Sequence, residues 1–316
     1  MTRRLGVVMD PIASIHPHKD SSLAMLLEAQ RRGWALSYME LGHLRTRDGR
    51  AEASAHPLVV HDDASHWFEL GTPAEIALGD LDVILMRKDP PMDLDYLAAT
   101  YVLDRAEADG ALVVNRPQSL RDANEKAFTG WFSGCSPATL MSSSIPHLRA
   151  FANEHGAAVV KPLYAMGGRS VYLVRPDDPN ASVILEDMTD RGRRAVMAQA
   201  YVPDVTTTGD KRILMIDGEA VPQAIRRLPP PGELRANIAA GGSVHPAELT
   251  DRDREICAAL GPALRQRGLM FVGLDVIGGF LTEINVTSPT CIREIDRLFG
   301  VNVAGLLFDA IERRLV

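Results

Sequence analysis

The sequence predicts an α/β protein: a small parallel-sheet unit of Rossmann-like type at the N-terminus, followed by a lid and a lobe built from mixed strands and hairpins. Three observations predict it. Residues 5–9, 23–32 and 36–39 read as strand, helix and strand, the order of a βαβ unit with parallel strands. Two further buried-type strands, residues 81–86 and 111–115, enclose a helix at 96–108 and extend that layer. In the second half, Asp217-Gly218 and Gly278-Gly279 join apolar runs directly, which is the chemistry of hairpins rather than of crossovers.

A chain of 316 residues accommodates two or three structural units, and 46% hydrophobic residues supply an ordinary globular core. The net charge of −7 argues against a nucleic-acid partner met through a basic surface. Cys135, Cys257 and Cys291 are odd in number and widely spaced, with no Cys/His pattern of a zinc site and no disulfide framework. A reducing, cytoplasmic setting follows. No run reaches the ~18 apolar residues of a membrane helix, and the short apolar run before Asp10 is no signal peptide. The expected protein is soluble and has no membrane partner.

In the first unit, Asp20-Ser21-Ser22 caps the helix and Gly33 stops it. Residues 45–70 are polar and irregular, as peripheral strands with loops would be. The strand at 81–86 ends in Arg87-Lys88-Asp89-Pro90-Pro91, at the strand end where open α/β sheets bind ligands. The alternative is a solvated turn stiffened by prolines. A GxGxxG fingerprint is missing, so a dinucleotide is not favoured.

A second unit opens at Asp122, read as the N-cap of a helix in which Glu125 completes a capping box. Lys126 lies on its first turn, within reach of a phosphate. A helix follows at 146–155, and the strand 157–162 places Lys161 near its polar end. Met166-Gly167-Gly168 precedes the next strand, and adjacent glycines can offer backbone N–H groups to an anion. Hairpins use Gly-Gly turns too; the preceding lysine favours a phosphate lid. The strand 195–203 leaves its layer at Pro203.

The third unit begins with a hairpin around Asp217-Gly218. A two-residue loop sets Arg212 opposite Gln223, with Arg227 on the same face. Two arginines so placed repel unless an anion lies between them or solvent screens both. Residues 228–242 lack any period and are long enough for a functional loop. Thr250 caps a helix that Gly268 closes, and residues 301–315 form a last helix. Between them, residues 271–290 read as two apolar strands interrupted by Asp275, Glu283 and Asn285. Strand alternation puts Glu283 and Asn285 on one face. A plain two-residue turn at Gly278-Gly279 would put Asp275 opposite Thr282, facing away. A longer turn or a bulge would set it opposite Glu283, and this is the expectation. Three hard oxygen donors there suit magnesium held with substrate phosphates; ordinary hairpin polarity is the alternative.

Several stretches then resemble a known family in order along nearly the whole chain: Val8-Met9-Asp10-Pro11-Ile12, Asp20-Ser21-Ser22, Met25-Leu26-Leu27-Glu28-Ala29-Gln30-Arg31-Arg32-Gly33, Arg87-Lys88-Asp89-Pro90-Pro91, Asp210-Lys211-Arg212 and Thr282-Glu283-Ile284-Asn285-Val286-Thr287-Ser288-Pro289-Thr290-Cys291-Ile292-Arg293-Glu294. They resemble the bacterial glutathione synthetases of the ATP-grasp superfamily. The resemblance implies an ATP-grasp fold with three parts: a substrate domain at 1–121, a central lid at 122–203 and a catalytic lobe at 204–316. It implies ATP-dependent joining of γ-glutamylcysteine to glycine through an acylphosphate, in a homo-oligomer, dimer or tetramer.

On that pattern Lys126 and Lys161 meet nucleotide phosphates, together with Met166, Gly167, Gly168 and Asp210. Gln199, Tyr201 and Val202 belong to an adenine-binding hinge. Asp275, Glu283 and Asn285 match magnesium ligands, with manganese as the alternative ion. Arg212 and Arg227 match the arginines that face the reacting carboxylate. Arg87, Ser288, Pro289 and Thr290 match substrate-binding positions, and residues 228–242 a mobile loop over the site. Two departures stand out: Leu163-Tyr164-Ala165 where an acidic or glycine residue is expected, and Ala200 where a polar one is usual. The rival expectations are another ATP-grasp carboxylate–amine ligase and a non-catalytic nucleotide-binding relative; the latter would be expected to lose a metal ligand or an arginine.

Overall fold

The computed structural model describes residues 2–230, 232, 233, 236 and 241–315. The apolar run at the start becomes β1 (Arg4–Val8), and Asp20 caps α1 (Ser21–Arg31) by accepting from the Leu23 N–H at 2.7 Å. Then come β2 (Ala35–Met39), β3 (Leu44–Arg47), β4 (Arg50–Val60), β5 (Phe68–Leu70), β6 (Ala74–Ala77) and β7 (Val83–Met86). Helix α2 (Leu94–Ala108), β8 (Leu112–Val114) and α3 (Pro117–Asp122) complete this layer. The path of the sheet is β3-β4-β2-β1-β7-β8, with β5 and β6 also paired to β4. β1 lies parallel to β2 and β7, and β7 parallel to β8, as the βαβ reading requires. The polar stretch supplies the antiparallel edge through β4.

The expected helix start at Asp122 is corrected. Pro117 opens α3 and Asp122 closes it, because proline is pre-organised for a first turn and Asn124 then breaks the run. The Asn124 carboxamide accepts from the N–H groups of Lys126 and Ala127 at 3.2 and 3.0 Å. Glu125 is therefore free of any local cap.

The lid holds β9 (Thr139–Ser142), α4 (Ile145–Glu154), β10 (Ala158–Pro162), β11 (Tyr172–Val174), α5 (Ala181–Met188) and β12 (Val196–Ala200). Its sheet is antiparallel in the order β11-β10-β12-β9. The remaining lobe holds β13 (Asp210–Ile216), β14 (Glu219–Leu228), β15 (Ser243–Glu248), α6 (Asp251–Gln266), β16 (Phe271–Ile277), β17 (Phe280–Asn285), α7 (Ile292–Phe299) and α8 (Val303–Arg314). Its sheet runs β15-β14-β13-β16-β17. Thr250 caps α6 in a capping box with Asp253.

Two registers decide where the polar side chains point. In β13–β14, Arg212 faces Ile225 rather than Gln223. The strands slip around Pro222, which has no N–H for the ladder. The slip is of two residues, so the face is kept and Arg212 and Arg227 still share it. In β16–β17 the turn is the tight Gly278-Gly279 pair, with φ of 55° and 79°. Ile277 pairs with Phe280 and Val276 with Leu281, but Asp275 then pairs with Glu283. Thr282 is the extra residue. The expected bulge is present, and Asp275 stands opposite Glu283. A side chain at Gly278 would meet the Asp204 carboxyl carbon at 2.9 Å, so only glycine lets the hairpin tip lie against residues 202–204.

The N-terminal sheet and the C-terminal lobe pack into shared cores. Trp34 of the first meets Phe308 of the second edge-on at 5.3 Å. Buried Asn115, beyond β8, donates to the carbonyls of Phe271 and Val286 at 2.7 Å each, and accepts from the Phe271 N–H at 2.8 Å. One side chain thus fixes the start of β16 and the end of β17.

Candidate active site

The floor of the site is a buried quartet. Asp275 accepts from Arg212 Nε at 2.6 Å and from Arg212 Nη2 at 3.2 Å, and Arg227 Nη2 lies 3.0 Å from its second oxygen. Arg227 also pairs with Asp210. The anion that lets two arginines share a face is supplied by the protein itself. Burial opposes the charge on Asp275, yet Arg212 and Arg227 outweigh it and hold its carboxyl at about 2. Asp210 goes the other way: burial pushes it up to about 7, with Arg227 only partly offsetting. Its Oδ1 has no hydrogen-bond partner among the described residues, in keeping with that rise.

Glu283 and Asn285 extend from the next strand. Glu283 pairs with Lys126 Nζ at 2.8 Å. Asn285 donates through Nδ2 to the Gly273 carbonyl at 3.1 Å and lines the cleft. Lys126 Nζ also donates to the Ala165 carbonyl at 2.6 Å, and Lys161 Nζ to the Thr282 carbonyl at 2.9 Å. The bulge therefore has a use: it turns the Thr282 carbonyl toward a lid lysine. Burial pushes the Lys161 ammonium below its ordinary range, and Glu283 partly restores it.

These groups line a cleft with two compartments. The first lies between the lid sheet and the lobe. Lys126, Lys161, Met166, Gly167, Gly168, Gln199, Tyr201, Val202 and Asp210 all line it. The second is lined by Arg212, Arg227, Asn285, Ser288, Pro289 and Thr290, with Asp10, just beyond β1, and Asp20, the cap of α1. Met166, Gly167 and Glu283 line both. The quartet sits in the wall, its carboxylates on the first compartment and its guanidiniums on the second.

Arg87 lies behind that wall. It is buried, takes Ser22 Oγ through Nε at 3.0 Å and the Pro289 carbonyl through Nη2 at 2.9 Å. It lines neither compartment and holds the wall residue Pro289 in place. For a divalent ion, the Glu283 carboxylate and the Asn285 amide oxygen fit as hard donors. Asp275 has both oxygens engaged by guanidinium and supports the pair from below. Within the stretch 228–242, residues 231, 234, 235 and 237–240 lie outside the described residues; Ala236, which is described, is buried and lines the first compartment.

Glu125 is a functional candidate that sequence reasoning misplaced. Its Oε1 accepts from the N–H groups of Val286 and Thr287 at 2.8 and 3.0 Å and from Thr287 Oγ1 at 2.8 Å. Burial and the neighbouring Glu283 raise its carboxyl, and Thr287 opposes them. Beside it, Asn124 donates to the Leu163 carbonyl at 2.9 Å. Residues 124–126 therefore tie the lid loop to the end of β17. The signal available in the sequence was the unbroken Asn124-Glu125-Lys126 run beside a helix stop.

The chain matches known proteins along nearly its whole length. The family model for the prokaryotic glutathione synthetase N-terminal domain matches residues 4–121, and that for the prokaryotic glutathione synthetase ATP-grasp domain matches residues 125–300. The chain belongs to the prokaryotic glutathione synthetase family. A glutathione synthetase of Shewanella oneidensis is 55% identical over 99% of each chain, and one of Pseudomonas putida is 56% identical over 100% of this chain and 99% of that one. Among solved structures, a D-cycloserine synthetase shares the fold with a TM-score of 0.67 at 17% identity, covering 99% of this chain and 100% of that one. An ATP-grasp ligase solved with a phosphomimetic precursor, Mg and ADP has a TM-score of 0.64 at 17% identity, covering all of both chains. This glutathione synthetase family member is an enzyme, a ligase with an ATP-grasp domain; such ligases work with ATP and a divalent metal ion.

Proposed function

We propose that the two compartments divide the ligation of γ-glutamylcysteine to glycine, with ATP in the first and the dipeptide in the second. The observation that carries this reading is the shared boundary at Met166, Gly167 and Glu283, where a γ-phosphate would meet a carboxylate. Lys126 and Lys161 neutralise phosphate charge, and Gln199, Tyr201 and Val202 hold the base. Glu283 and Asn285 hold magnesium, with Asp275 orienting the arginines beneath. The ion supplies charge neutralisation of the phosphates.

Arg212 and Arg227 face the peptide carboxylate, align it for attack on the γ-phosphate and then stabilise the oxyanion formed when glycine's amine adds to the acyl carbon. ADP leaves after the first step and phosphate after the second. The lid excludes water, which would hydrolyse the acylphosphate. Ser288, Pro289 and Thr290 wall the dipeptide, braced by Arg87. The division of labour follows residues 1–121, 122–203 and 204–316.

We further read the enzyme as cytoplasmic and homo-oligomeric, dimer or tetramer; light scattering on the purified protein tests the latter. No helix among the described residues is long and apolar enough to cross a membrane. The decisive experiment measures ADP release with γ-glutamylcysteine and glycine, separately and together. Release that needs both supports the assignment. Release indifferent to glycine, or absent with the pair, overturns it.

A further inference from the structure

Away from the cleft, the loop between β4 and β5 gathers three metal-binding side chains. Val59 pairs with Glu69 across these strands, and the His61 N–H donates to the Trp67 carbonyl at 2.9 Å. Strand alternation therefore puts His61 and Glu69 on one face. His66 comes back over the loop and stacks on His61, ring centres 5.3 Å apart at 22°. Both Nε2 atoms converge on a single oxygen, Glu69 Oε1, at 3.0 and 3.2 Å. The three ligand atoms all lie within 4.8 Å of one another, the one such group among the described residues.

The loop is pinned from several sides. Asp63 accepts from the Ser65 N–H and hydroxyl at 2.7 Å each. Asp62 pairs with Arg293 of α7 at 2.8 Å, and the Trp67 indole donates to the Ile12 carbonyl at 2.9 Å. Two stacked imidazoles aimed at one carboxylate oxygen, on a loop held by these contacts, form a preorganised donor set. None of the three side chains lines the cleft.

We propose that His61, His66 and Glu69 form a surface site for a borderline divalent transition ion of the zinc class, separate from the magnesium chemistry of the cleft. Two imidazole nitrogens and one carboxylate oxygen are the donors such ions select, whereas magnesium and calcium prefer oxygen alone. Water completes the coordination, since the side chains are exposed or half-buried. All three cysteines are buried, which removes the usual competing thiol ligands from the surface.

The test titrates zinc chloride into the full-length enzyme by calorimetry, with excess magnesium and ADP to occupy the cleft. The expected result is uptake of about one equivalent. The variant His61→Ala/His66→Ala should lose that uptake, and Glu69→Gln, which keeps both imidazoles and the loop shape, should weaken it clearly. Circular dichroism and the magnesium-supported ligation rate should stay unchanged in both, because the side chains pack into no core. Cobalt substitution should give a visible absorption band in the parent that is missing in the double variant. Equal zinc uptake by parent and double variant, or none by the parent, overturns the site.

Discussion

The lid sheet and its helices, residues 139–200, bury their apolar residues in a core of their own, centred on Leu148, Leu185 and Val196, whereas the N-terminal sheet and the C-terminal lobe share two cores that run through both. The lid meets that merged body at the cleft through polar contacts: Lys161 on the Thr282 carbonyl, Lys126 between Glu283 and the Ala165 carbonyl, Asn124 on the Leu163 carbonyl. A small separate core and directional contacts make a unit that can open with its interior intact. The floor is the reverse case. Its arginines and carboxylates are buried and already paired, so the charged geometry exists before any substrate arrives. The division suits a ligase: the floor is preorganised, and the lid can admit and sequester.

The largest effect expected is on the floor. Arg227→Ala removes a guanidinium that faces the second compartment and should lower turnover by about 10²–10³-fold, the range for a lost oxyanion donor. Nucleotide affinity should change far less, because Arg227 lines only the second compartment. Steady-state kinetics beside ADP-binding measurements separate the two; unchanged turnover would remove Arg227 from the reaction.

In the lid, Leu185→Ala should cost about 2–5 kcal/mol, as for other core truncations. Amide exchange should then quicken in β10 and β12 while β13 and β16 keep their protection. Equal loss in both regions would show that the two cores unfold as one. In the body, Gly261→Ala would place a methyl carbon 2.4 Å from the Gly218 carbonyl, where α6 crosses the β13–β14 turn. The expected loss is about 1–3 kcal/mol of body stability, read as a lower urea midpoint.

The smallest effect is electrostatic. Glu28 is held at about 2, chiefly by Arg31, against burial and with help from Arg32. A carboxyl depressed on folding stabilises the protein above its unfolded value of 4.5, and that contribution is lost as pH falls through about 2. Glu28→Gln should cost about 1 kcal/mol at pH 6, since Arg31 is largely exposed and screened. Urea midpoints of variant and parent should converge between pH 4.5 and 2; a constant gap would mean that packing, not charge, supplies the effect.

Much of this was legible before the fold. Alternation placed Glu283 and Asn285 on one face, and the need for a longer turn or a bulge followed from asking which register could bring Asp275 to them; the fold chose the bulge, at Thr282. The shared face of Arg212 and Arg227 survived an error in register, because the slip at Pro222 is even. Glu125 was misread because Asp122 and Glu125 have the spacing of a local capping box, whereas Glu125's partners, Val286 and Thr287, lie more than 160 residues away. The short β15, α5 and α7 carry patterns too brief to separate from loop.

The sequence by itself determined the βαβ order of the first unit, the caps at Asp20 and Thr250, the glycine turns and the shared face of Glu283 and Asn285. These are matters of local sterics and period, fixed within a few residues. Only the tertiary structure decided that Asp275 and Asp210 separate the two arginines, that Arg87 braces Pro289 from behind, that Glu125 ties the end of β17, and that His66 folds over His61 onto Glu69. Each of those depends on which buried charge or polar group finds which partner. Desolvation makes that choice, and it acts only when distant segments exclude water together.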